Sequence, residues 1–134
     1  MKRMMIFLVL LVFASPAYGQ DLMREGLWEL KTTISIPGTQ AIPTQTMKHC
    51  YTKEEAKKHS NAEPAKNKDC KMAKHSVKGN KVTWEMVCTG QQKGTMSGEM
   101  IYGKDTMESR TKSTMGGMTT ETHTIGKRLG NCPS

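Results

Sequence analysis

The chain has 134 residues, a formal net charge of +8, four cysteines, twelve methionines and only 5% aromatic residues. That length suits one domain, and so few aromatics argue against a nucleic-acid binder, which stacks bases on rings. Beyond the first residues no stretch is apolar enough to cross a bilayer, so no transmembrane anchor is expected.

The chain opens MKRMMIFLVLLVFASPAYGQ. Lys2 and Arg3 precede the apolar run Met4 to Phe13, and Ala17-Tyr18-Gly19 is a small-x-small cleavage site. This order predicts a secretory signal peptide over 1–19 and a single exported domain over 20–134, periplasmic or secreted. No cysteine lies near the cleavage site to carry a lipid. The exported part stays basic, with lysines crowded between Lys53 and Lys81. Glu54, Glu55, Glu63 and Asp69 are interspersed among them, the pattern of a solvated surface rather than of an anion-binding patch.

Next comes GLWELKTTISIPG, where Trp28, Leu30, Thr32, Ile34 and Ile36 alternate with Glu29, Lys31, Thr33 and Ser35. Period two with β-branched residues predicts a half-buried strand, stopped by Pro37-Gly38. A loop to Pro43 leads to a short strand over Thr46 to Tyr51. Thr52-Lys53-Glu54-Glu55 is a capping box, which predicts a helix from Lys53 to about Ser60. Asn61 to Asp69, polar and proline-containing, reads as a loop. Strands over Lys71 to Lys78 and Lys81 to Thr89 flank Gly79-Asn80, a hairpin signal. Three more follow, over Thr95 to Tyr102, Thr106 to Thr114 and Met118 to Ile125, with turns at Gly103-Lys104-Asp105 and Gly116-Gly117. GKRLGNCPS reads as a tail. The elements describe an all-β fold: a single antiparallel, strongly curved meander of about seven strands, lipocalin-like or a partly open barrel, with one short helix.

Met96, Met100, Met107, Met115 and Met118 raise the possibility of a soft-metal site, because thioethers select Cu(I) or Ag(I). Taking Gly103-Lys104 and Gly116-Gly117 as two-residue loops sets Met100 opposite Met107 and Met115 opposite Met118. All five methionines then share one face with Tyr102, Ser109, Thr111, Ser113, Thr120, Thr122 and Thr124. Glu99, Glu108, Arg110, Lys112, Glu121 and His123 fall on the other. Charge belongs in water, so the methionine face is expected to point inward. His123 then stands apart from the sulfurs, and strand-spaced methionine is more often core filler than ligand. The hydroxyls mixed among the methionines suggest either that the disulfides compensate for a thin core or that the inner face takes a small apolar or amphipathic ligand, at Trp28, Trp84, Met96, Met100, Tyr102 and Met107. Cu(I) or Ag(I) at Met96, Met100 and Met107 is the alternative, and no resident metal or cofactor is expected.

Cys50, Cys70, Cys88 and Cys132 are even in number and lack a C-x-x-C pair, which suits two disulfides in an oxidising compartment. Three pairings are possible. The open end of the Gly79-Asn80 hairpin favours Cys70 with Cys88, given one bulge residue, and leaves Cys50 for Cys132. For catalysis there is little: no G-x-S-x-G elbow, no H-E-x-x-H helix, and His49, His59, His75 and His123 scattered. A non-catalytic protein is expected; its partner is not named by the residues, and a small apolar or amphipathic ligand or an envelope component is what they allow.

GLWEL, IPG, HCYTKEEA, DC, GNKVTWEMVC, MSGEMIYGKDTME and GKRLGNC occur in that order. Together they resemble the domain-of-unknown-function family numbered thirty-six seventeen, small exported bacterial proteins. The likeness spans nearly all of the chain after the leader. It implies a β-rich exported domain with these cysteines, and methionine-rich later strands used for packing. It carries over no activity, substrate or catalytic residue.

Overall fold

A computed structural model describes residues 21–61 and 68–134. The signal peptide expected over 1–19 and the centre of the loop expected over Asn61 to Asp69 lie outside the described residues. Seven strands and one helix follow one another: β1 (Gly26–Ser35), β2 (Gln45–Tyr51), α1 (Lys53–Ser60), β3 (Cys70–Lys78), β4 (Lys81–Cys88), β5 (Gly94–Tyr102), β6 (Thr106–Met115) and β7 (Met118–Gly130). They form one antiparallel sheet in the order β2-β1-β7-β6-β5-β4-β3.

This is an open sheet and not a barrel. Closure would require β2 to pair with β3, and each is instead an edge. Between these two edges in sequence lies α1, which packs Ala56 into the same core cluster as Trp28 and Tyr102 of the sheet. Lys48 on β2 and Lys71, Lys74 and Lys78 on β3 are exposed, the usual protection of unpaired edges.

Local chemistry sets most of the boundaries. Thr52 caps α1 with its side chain accepting from the Glu55 amide, while the Glu55 carboxylate accepts from the Thr52 amide at 2.8 Å. At Gly79-Asn80 the flanking Lys78 and Lys81 are opposite each other, as the hairpin signal predicts. Gly116 and Gly117 have φ of 56° and 80°, the left-handed values a tight hairpin demands, and they set Met115 opposite Met118. The β5–β6 connection differs from expectation. Tyr102, not Met100, lies opposite Met107, and Met100 faces Ser109, because the loop includes Asp105 and closes with Gly103 N–H donating to Thr106 C=O. That slip is two residues, so every side chain keeps its expected face.

The last strand also exceeds its prediction. β7 runs to Gly130, where the sequence suggested a tail, because the first half of β1 needs a partner: Leu30 faces Gly126 and Trp28 faces Arg128. Gly126 is required there, since a Cβ at this position would lie 2.6 Å from Met107 Cγ and 3.1 Å from Leu30 Cδ2.

The methionine face carries the core at one end. Trp28 (1% exposed) and Val82 (0%) are the largest fully buried side chains, joined by Leu30, Tyr102 and Met107 of the sheet, Ala56 of α1 and Met23. Burying each large side chain contributes about 1.5–3 kcal/mol. The polar groups drawn in are matched: Trp28 Nε1–H donates to Arg24 C=O at 3.0 Å, and Met23 N–H to Ser60 Oγ at 2.8 Å. Two disulfides staple the frame, Cys50–Cys132 and Cys70–Cys88. The second needed an extra residue, and the structure supplies it at Ala73, between Met72 and Lys74.

Candidate functional site

The ladders bring residues distant in sequence into straight rows across the strands. On the charged face one row reads Lys74, Glu85, Ser97, Lys112, Glu121, Ser35, from β3 to β1. The neighbouring row reads Ser76, Thr83, Glu99, Arg110, His123, Thr33. Each row spans six strands, about 24 Å, and the two are about 7 Å apart. A cavity of about 1100 Å³ is lined by both rows in full. His75, Trp84, Gly98, Thr111 and Thr122 of the intervening row also border it.

The lining identifies which side of the sheet encloses this space. On β1 it includes Thr33 and Ser35 and omits Ile34 between them. The cavity therefore belongs to the charged face and not to the methionine face that was expected to enclose it. Charged side chains do gather opposite the methionines, as predicted, but they line a trough instead of lying on an outer surface.

Charge in the trough is balanced and locally paired. Lys74 meets Glu85 at 3.2 Å, and Lys112 lies 3.9 Å from Glu121. Glu99 pairs with Lys81 at 2.9 Å. Glu108, in the next row, is a hub: His123 Nε2–H and Arg110 Nη2–H both donate to its Oε1 at 2.8 Å. These hydrogen bonds, from His123 first and Arg110 second, hold the Glu108 carboxyl below its ordinary range. All these side chains are at least partly exposed, so water screens each pair and none holds the trough rigidly.

Trp84 has a distinct support. It stands beside Gly98 in the ladder, where a Cβ would fall 2.7 Å from indole Cε2. Glycine therefore lets the indole lie against the β5 backbone. Its Nε1 is buried without a hydrogen-bond partner among the described residues.

The other residues singled out by sequence are dispersed. Trp28, Tyr102 and Met107 are core, and Met100 packs against them. The Tyr102 hydroxyl lies 2.9 Å from Met100 Sδ and donates to the His59 carbonyl oxygen at 2.8 Å. Burial pushes the Tyr102 phenol well above its ordinary value, with nearby Tyr51 adding to the effect. Met96 is half-buried opposite Ser113. It lies four residues from Met100 along β5, about 13 Å, so Met96 does not converge with Met100 and Met107. Among the described residues no group of three or more His, Cys, Asp or Glu is arranged to hold a metal ion.

Sequence reasoning left Arg110, Lys112, Glu99, Glu121 and His123 to solvent. A signal for them existed in the register itself, since correct pairing sets Glu99 opposite Arg110 and Lys112 opposite Glu121. A second cavity, of about 690 Å³, lies beside the Cys50–Cys132 bridge. Arg128 there is already committed to the Glu25 carbonyl and Asn131 Oδ1.

The molecule is thus an open, disulfide-stapled antiparallel sheet with one short helix, a packed methionine face and a charged trough. Residues 23–132 match the family described as "Protein of unknown function (DUF3617)", and the chain belongs to that family. No curated protein and no solved structure matches it. Among the described residues no helix is long and apolar enough to cross a membrane.

Proposed function

We propose that the protein is a non-catalytic binding protein of the bacterial envelope or exterior, and that its ligand lies in the charged trough. The carrying observation is the cavity of about 1100 Å³ bounded by two uninterrupted cross-strand rows. That volume suits a small molecule, and the Ser and Thr hydroxyls among the charges supply orienting hydrogen bonds. Two disulfides support an oxidising compartment, and with it the signal peptide and export.

Native mass spectrometry of protein purified from its source compartment tests this. The expected result is a carried-over small-molecule mass that disappears in Ser97→Trp, which fills the middle of the trough. A bare chain, or a bound mass indifferent to Ser97→Trp, would overturn it.

A further inference from the structure

Resting on the trough reading, we infer the ligand's chemical class: a zwitterionic amphiphile, with an anionic group on β6 and an ammonium on the strands beside it. Arg110 and Lys112 occupy the same face of β6 two residues apart, about 7 Å, in the middle of the cavity. Arg110 uses Nε and Nη2 on Glu108, and Nη1 is bonded to no described residue. Lys112 holds Glu121 only loosely, at 3.9 Å. A phosphate or carboxylate between these two cations gains charge-assisted hydrogen bonds without breaking a tight pair.

Carboxylates flank the cations on both sides. Glu99 of β5 is opposite Arg110, and Glu121 of β7 is opposite Lys112. A simple anion is drawn to β6 and repelled from its flanks. An ammonium carried about 5 Å from that anion reaches the next strand and meets a carboxylate, since strands lie about 4.8 Å apart. Lys74, Arg110 and Lys112 balance Glu85, Glu99 and Glu121 in the lining, so a ligand of zero net charge fits best.

An apolar contact adjoins this polar centre. In the next row on the same face Ile101 and Ile125 flank Glu108, and they are 38% and 52% exposed. Large apolar side chains left open beside a polar cavity accept the tail of an amphiphile. A lipid and a free head group share the zwitterionic chemistry, and Ile101 and Ile125 favour the lipid.

The test is isothermal titration of the oxidised protein with dihexanoyl phosphatidylethanolamine as monomer, the phosphatidylglycerol of equal chain length, and glycerophosphoethanolamine, the head group with the same phosphodiester and no tails. The ethanolamine lipid is expected to bind about tenfold tighter than the glycerol lipid, and Arg110→Ala/Lys112→Ala to lose about tenfold with an unchanged far-UV spectrum. Ile125→Ser should weaken the lipid and leave glycerophosphoethanolamine unaffected. Equal or tighter binding of the glycerol lipid overturns the zwitterion, and glycerophosphoethanolamine binding as tightly as the lipid overturns the amphiphile. If neither lipid binds while a carried-over mass still depends on Ser97, this inference falls and the trough reading stands.

Discussion

Tyr102 and His59 pin helix α1 to the sheet through two contacts, the phenol donating to the His59 carbonyl at 2.8 Å and lying 2.9 Å from its Nδ1. With the hydroxyl proton on the carbonyl, the ring nitrogen donates the second bond. Tyr51 stacks edge-on against His59, with centroids 5.5 Å apart, and His49 against Tyr51 at 4.4 Å.

Burial depresses the His59 pKa below its ordinary 6.5, with His49 adding to the effect. The folded state thus prefers the neutral ring, and the unfolded state binds the proton first. Stability is full above pH 6.5 and declines as pH falls through the window between the unfolded and folded values. Thermal unfolding followed by circular dichroism should show a falling midpoint over that range, and His59→Gln should flatten it. Glu55 and Glu108, both lowered from 4.5, lose their contributions only at more acid pH. An unchanged slope in His59→Gln would show that the ring does not govern this window.

Gly98→Val should be destabilising although valine is the better strand former. The new Cβ meets the Trp84 indole, and overpacking of this kind costs about 1–3 kcal/mol. Urea unfolding measures the loss, and a shifted Trp84 emission locates it. A stabilised variant would mean that the indole does not lie against β5.

Removing the Cys70–Cys88 bridge as a Cys→Ser pair should cost about 2–5 kcal/mol. Reductant should lower the midpoint of the wild-type protein by more than that of the double variant, which retains only Cys50–Cys132. Peptide mapping without reductant should recover these two crosslinks and no Cys50–Cys70 peptide.

Thr52→Ala removes the hydroxyl that accepts from the Glu55 amide at 3.2 Å. Loss of such a cap costs about 1 kcal/mol. Because Ala56 and Ser60 of α1 close the core over Met23, the loss should appear in global unfolding and not only as helix fraying. Hydrogen exchange at Met23, whose amide donates to Ser60, is the local readout.

Local signals in the sequence read well. The capping box places the start of α1 at Lys53, and glycine-marked hairpins place β3 with β4 and β6 with β7. Even the misjudged loop after Tyr102 leaves the faces intact, because its slip is an even number. What parity cannot tell is the direction in which a sheet bends. Alternation assigns Arg110 and Met107 to opposite sides, but which side encloses space depends on the twist of all seven strands and on where α1 packs. The end of β7 was hidden for a similar reason. Gly126 and Lys127 look like a terminus until Met107 and Leu30 are seen to need the bare glycine between them.

The hydroxyls of Thr32 and Thr124 touch at 3.0 Å across 92 positions of chain. An interior seam of the sheet, between β1 and β7, therefore joins the first strand to the last, and no hairpin nearer in sequence can substitute for it. Long loops must close before that seam forms, which slows folding relative to a local meander of the same size. In a chain synthesised from its amino end, β1 and β2 emerge early and wait with one side of β1 unpaired. Protection of that waiting edge, by a chaperone or by speed of synthesis, becomes a condition for the fold to be reached at all.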